Sequence, residues 1–416
     1  MLVAALLAAA CGQEVPTGVG AGLLPPDAVR TFEVILEPDR YLVYDTAFGQ
    51  YTDPQDAPFI VVANQFEGGL NSNALVRFSI PASVTVTDAT GVVRLDTVPN
   101  YFAGTVRMGI DSTLAPTAAV RLALYRAGED WHGSATWTQR VDSGGVSLTW
   151  SVPGGTRGAL VDTVTVAAGA DSIVFNVDSA TIALWADTSN ASRGAIIVAE
   201  TPGTRLRTSL PALFLEARPS VRPDTVATTI AAAPVHTWLF DPEPPLSVGI
   251  PQVGGTPAWR TVFRLRERLD TLSFPCPGVP NCRARLGDSH INYAAIRLQP
   301  RAMTSGFRPE APITVAAYLM LPTEQLPLQR SPLGDLSGFV TIPASSFAAP
   351  AGPVVEIAMT DMIRVASLNP DDRGTGFLPT HFALVPGEPR TFGYGVFEPM
   401  PALRLVISIA KELLLP

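Results

Sequence analysis

The sequence predicts an all-β protein made of two β-sandwich domains, and three observations carry that expectation. Charged residues are only 16% of the 416 positions, while glycine (34) and proline (39) are abundant. That is the composition of many short strands joined by tight turns, not of helix bundles. Apolar residues alternate with period two: Val120, Leu122 and Leu124 share one face, with Arg121 and Ala123 on the other, and Leu403, Leu405 and Ile407 repeat the pattern. The length suits two domains of roughly 190 residues, each able to bury a core without a metal.

The second half repeats the landmarks of the first in order. Residues 73–81 correspond to 259–265, 89–95 to 293–298, and 115–125 to 311–319. Phe175-Asn176-Val177-Asp178 corresponds to the stretch 357–361, and Pro211-Ala212-Leu213 to Pro401-Ala402-Leu403. The one departure from strand spacing is 178–187, where Ile182 and Trp185 lie three apart behind an Asp178-Ser179 cap, which predicts a short helix. Arg218-Pro219 to Arg222-Pro223 reads as a linker, because proline cannot donate to a strand ladder. The expected division is therefore 1–11 signal, 12–29 tether, 30–217 first domain, 218–223 linker and 224–416 second domain.

The net charge of −8 argues against a nucleic-acid partner, which needs a basic face. Only one lysine, Lys411, is present, and no stretch approaches the ~20 apolar residues of a spanning helix. Leu2 to Ala10 are apolar or small and end at Cys11-Gly12. Leu7-Ala8-Ala9-Ala10-Cys11 resembles the lipobox of bacterial lipoproteins, which implies that Cys11 is acylated and holds the chain to a membrane. Acyl chains contribute about 0.8 kcal/mol per buried methylene, enough for lasting attachment when several are present. By analogy Gly12 favours the outer membrane or cell surface; an ordinary Ala-x-Ala cleavage site, giving a periplasmic or secreted protein, is the alternative. The Gly/Pro-rich stretch after Cys11 reads as a flexible tether reaching on the order of 20 Å.

Cys276 and Cys282, separated by a Pro-Gly turn, suit a local disulfide in an exported protein, worth about 2 kcal/mol at this loop length.

Arg121-Leu122-Ala123-Leu124-Tyr125-Arg126, followed by Trp131-His132-Gly133-Ser134-Ala135-Thr136-Trp137, resembles the DNRLRE-type domains of exported bacterial proteins. The likeness covers residues 32–217 and, more loosely, 224–410, where the Trp…Thr-Trp element is missing. It implies two tandem antiparallel jelly-roll-like sandwiches related to carbohydrate-binding modules, each with a short helix. A fold does not bring its ligand with it.

Chemistry-bearing residues are sparse. His132, His236, His290 and His381 are far apart in sequence, and no nucleophile elbow, His-Glu-x-x-His helix or phosphate loop is present. Oxygen-rich turns containing Asp187 and Asn190, and Asp371 and Asp372, are candidate calcium ligands, against the reading that Asp and Asn simply make turns. Trp131, Trp137, Trp150 and Tyr101 are a candidate sugar platform, against the reading that they are core. The expected function is a non-catalytic surface lipoprotein acting as a structural, adhesive or assembly component with an envelope protein partner. Binding of extracellular polysaccharide is the alternative.

Overall fold

The structure, a computed structural model, describes residues 29–410 apart from 52, 89, 191, 244–248, 279, 304–305, 323–325, 369–379, 389–390 and 400. Strand makes up 51% and helix 11%, so the all-β expectation holds. Two β-sandwich-like units are formed, each from two antiparallel sheets that share one apolar core.

In the first unit the larger sheet runs Arg157–Val166, Val120–Ala127, Ala195–Ala199, Leu70–Arg77, Phe59–Phe66 and Thr204–Ser209, with Val235–Asp241 also paired to Leu70–Arg77. The facing sheet runs Ser172–Asp178, Asn100–Gly109, Ala212–Arg218 and Ala227–Ala231. Period-two alternation explains the packing: in Ser172–Asp178 only Ile173, Phe175 and Val177 are buried, and they meet Leu122, Leu124 and Ile197 from the opposite sheet. Each such side chain contributes about 1.5–3 kcal/mol on leaving water.

In the second unit one sheet runs Leu42–Phe48, Arg260–Leu265, His381–Pro386, Ile313–Met320 and Leu333–Ile342. The other runs Val29–Leu36, Ala402–Ala410, His290–Leu298 and Val355–Ala358. Leu403, Leu405, Ile407 and Ile409 point inward along Ala402–Ala410, as their spacing predicts. The predicted helix is present at Ser179–Ala186: Asp178 caps it, accepting from the Thr181 amide at 2.7 Å, and buries Ile182 and Trp185. Its counterpart is Thr360–Ala366, which buries Met362, Ile363 and Ala366.

Two strand pairs sit on the unit opposite to the one their sequence position predicts. Val29–Leu36 pairs with Ala402–Ala410, and Leu42–Phe48 with Arg260–Leu265, both in the second unit. Ala227–Ala231 pairs with Ala212–Arg218, and Val235–Asp241 with Leu70–Arg77, both in the first. These are equivalent places, since Ala212–Arg218 and Ala402–Ala410 are the matching Pro-Ala-Leu strands, and Leu70–Arg77 and Arg260–Leu265 the matching central ones. Each repeat thus gives its opening strand pair to the other repeat's core.

Two expectations are corrected by this pairing. The boundaries 30–217 and 224–416 do not coincide with the units, because the strands of 29–48 belong with the second core and those of 227–241 with the first. Proline marked a turn at 218–223, but that turn joins two paired strands of one sheet. The match of 89–95 with 293–298 is also displaced. Val93–Asp96 forms a two-stranded flap with Val84–Thr87, whereas the strand in the position of His290–Leu298 is Asn100–Gly109.

The counterpart of that flap in the second unit is Ser273–Pro275 paired with Arg283–Arg285, closed by the Cys276–Cys282 disulfide. Both cysteines are buried in the second core, so the bridge packs as well as pins. The signal, Cys11 and the tether lie outside the described residues.

Candidate functional site

Trp131, Trp137 and Trp150 do not make an exposed platform. The segment between Val120–Ala127 and Arg157–Val166 folds back over the outer face of the larger sheet. There Trp131 and Trp150, 4% and 5% exposed, pack with Leu75, Ile196 and Leu239 in a small separate core. Trp150 donates its indole N–H to the Thr136 carbonyl at 3.0 Å, and the Arg77 guanidinium lies 4.7 Å from the Trp131 ring. Trp137 is half-buried against Gly154, whose amide donates to its carbonyl. Tyr101 donates to the Pro81 carbonyl at 2.7 Å, and partial burial pushes its hydroxyl above the usual phenol range.

This cover needs glycine at one point. Gly154 has φ +82°, and an added Cβ would lie 2.8 Å from the Trp137 ring. Gly154→Ala is expected to cost about 2 kcal/mol or more, read as a lower denaturation midpoint with an unchanged slope.

The turn after the first helix is satisfied internally. The Asp187 carboxylate accepts from the Ser189 hydroxyl and amide, bonds that hold it below the usual carboxylate range. Asn190 Oδ1 accepts from the Ser192 amide and hydroxyl in the same way. These are turn bonds. Among the described residues no three His, Cys, Asp or Glu side chains gather as metal ligands. Asp371 and Asp372 lie outside the described residues.

Three other features come from the folded chain. The first is an apolar ridge. Val92, Val93, Leu95 and Val98, on and beside the flap, are between 51% and 72% exposed, and Val226 and Ile230, before and on the strand Ala227–Ala231 that meets the flap's Val84–Thr87, are each 56% exposed. The flap is tied to the neighbouring turn by Asp96, which accepts from the Ser220 hydroxyl at 2.7 Å; that bond also holds the carboxyl below its ordinary value. Exposed aliphatics on a pinned element make this a candidate contact surface.

The second is a recess of about 330 Å³ where the crossing segment meets the aromatic cover. Asp53, Asp142, Glu243 and Ser134 supply its polar wall, and Trp238 and Phe240 its apolar one. Among the described residues the Trp238 indole N–H has no acceptor, although the residue is buried.

The third is an ion cluster between the units. Arg205 and Arg207, on Thr204–Ser209, reach Glu310, which precedes Ile313–Met320. Arg205 Nε lies 2.7 Å from Glu310 Oε1, with the two side chains 9% and 3% exposed. The two side chains form a buried ion pair. Arg207 also pairs with Asp111. Arg205 packs 4.4 Å from the Phe66 ring, and burial pulls its guanidinium below its ordinary value and pushes the Glu310 carboxyl up.

Local pattern carries no trace of the last two, whose members lie far apart along the chain. The ridge left a trace: Val92, Val93, Leu95 and Val98 break the period-two rule, since alternation cannot hide them all on one face.

Fold and surfaces together define a mostly antiparallel, sandwich-like β protein. Comparison with family models, with curated proteins and with solved structures finds no match to this chain.

Proposed function

We propose that the chain is a non-catalytic structural component of a bacterial cell envelope, held to a membrane through lipid on Cys11, that acts by docking a protein partner on its apolar ridge. The ridge is the observation that carries this reading. Val92, Val93, Leu95 and Val98 are exposed on and beside a flap pinned by Asp96, with Val226 and Ile230 exposed at the strand next to it, and exposed aliphatics on a held element favour a surface that a partner covers. The burial of Trp131 and Trp150 supports it too, by removing the aromatic surface a glycan would stack on. Interlocked cores suit a rigid spacer.

The test places a photo-crosslinking residue at Leu95 or Ile230 and a control at Leu160, which is 55% exposed elsewhere on the first unit. Crosslinks to one envelope protein are expected from the ridge positions and not from the control, and are lost in Val93→Glu, whose melting temperature should stay within about 2 °C. Equal labelling from Leu160 would sink the reading. Cys11→Ser should move the chain from membrane to soluble fractions.

Polysaccharide binding is a second reading, favoured by the Asp53–Asp142–Glu243 recess with its Trp238 and Phe240 wall, a lining that suits sugar hydroxyls. If it holds, migration in gels containing neutral glycans is retarded and Asp142→Ala relieves the retardation; unchanged mobility in every glycan tried would dismiss it.

A further inference from the structure

We propose that copies of this chain join by exchanging the strand pair 29–48, so that the Val29–Leu36 and Leu42–Phe48 strands of one molecule complete the second unit of another. This deepens the assembly reading by naming a second copy as a partner, and it rests on that reading only for the crowding that a membrane anchor would supply.

The pair is already a donated element. It is covalently continuous with the first unit through 49–58, yet its partners are all in the second. Val29–Leu36 is paired along its full length with Ala402–Ala410, and Leu42–Phe48 with Arg260–Leu265. Phe32, Leu36, Tyr41 and Leu42 enter the second core, and the Tyr41 hydroxyl donates to the Pro401 carbonyl at 2.6 Å. Donor and acceptor are thus a matched plug and socket, joined by a crossing that is not a strand of either sheet.

A second molecule offers the same socket. Exchange between copies restores every pairing and every buried contact of 29–48, and changes only the path of 49–58 and the few contacts that hold it, such as the Tyr51 hydroxyl to the Gln329 carbonyl at 2.5 Å. That is the condition under which domain swapping is cheap. It follows the logic of strand donation, in which main-chain pairing supplies affinity and alternate side chains fill pockets. The repeats show that the sockets accept a strand pair from another repeat, because within one chain both already do.

The closed form wins in dilute solution, since tethering holds the plug at an effective concentration of about millimolar. Exchange therefore needs partial unfolding at high protein concentration, or confinement on a surface. Because Val29–Leu36 runs from one chain into the next, the joined product is a closed dimer or an open row.

The experiment uses the full chain with Cys11→Ser. Thr31 and Ser408 face each other across the pair, with their hydroxyl oxygens 2.9 Å apart. Molecules carrying only Thr31→Cys are mixed with molecules carrying only Ser408→Cys, unfolded, refolded together at high concentration with Cys276–Cys282 intact, and oxidised. A Thr31→Cys/Ser408→Cys double variant, closing within one chain, is the positive control. A mixed disulfide eluting at dimer mass or above is expected, on the order of tenfold more abundant than with Ser143→Cys as the partner. No mixed disulfide, or equal amounts with Ser143→Cys, overturns the proposal. Either failure leaves the ridge crosslinks unaffected, so the two readings fall separately.

Discussion

Cutting the chain within 218–223 is expected to yield two pieces that do not fold. The piece ending there loses Ala227–Ala231 and Val235–Asp241 from its core, and with them Trp238 and Leu239, which are 1% and 0% exposed. Removing one buried aromatic costs about 3–5 kcal/mol, and a whole domain holds only about 5–15. The loss of two strands exceeds that reserve. The other piece lacks 29–48, leaving one edge each of Ala402–Ala410 and Arg260–Leu265 unpaired and a gap where Phe32, Tyr41 and Leu42 pack. A fragment of residues 50–243 keeps every pairing of the first unit and should show β-sheet circular dichroism and a cooperative melt. It should be less stable than the full chain, because Phe307 and Phe392 no longer cover it. Cooperative melting of 29–220 on its own would refute the exchange.

Arg205→Met is expected to destabilise the joined protein by about 3 kcal/mol at neutral pH, because it leaves the Glu310 carboxylate, 3% exposed, without the guanidinium that faces it between the units. Replacing both partners, Arg205→Met with Glu310→Leu, should recover most of that loss, since an apolar pair needs no desolvation of charge. Denaturant titration of the three proteins checks this, and equal loss in single and double variants would contradict it. The pH dependence has a definite sign. Burial makes the folded Glu310 carboxyl hold its proton to higher pH than the unfolded one, whose value is 4.5. The folded state therefore binds more protons in that window. This group's contribution to stability falls as pH rises from the ordinary carboxylate range to the raised folded value. Asp96 works the other way: its bond to Ser220 stabilises the fold above the ordinary aspartate range and is lost as pH falls through the lowered value.

Much of the fold was legible in local pattern. Ile173, Phe175 and Val177, and Leu403, Leu405 and Ile407, alternate because each strand has one wet and one dry face, and Asp178 announced its helix by cap chemistry. The order of the repeats was legible for the same reason: equivalent strands face equivalent cores. What local pattern cannot encode is which of two similar cores a strand joins. Val235, Thr237 and Leu239 alternate identically whichever central strand they meet, so the exchange was invisible and the boundary fell at the prolines of 218–223 instead. The aromatics illustrate the same limit. Trp131 and Trp150 read equally well as platform or packing, and only the fold-over of 128–155 on the larger sheet decides for packing. Arg205 and Glu310 meet across 105 positions, a separation at which no periodicity connects them.

The crossed strand pairs also decide how the molecule responds to load. Two bodies joined by one linker part as soon as their mutual contact yields. Here, tension between the halves is taken by Leu42–Phe48 drawn lengthwise along Arg260–Leu265 and by Val235–Asp241 drawn along Leu70–Arg77. Whole rows of hydrogen bonds must then slide before either crossing lengthens, and the halves come apart only when a core has been emptied of its strands.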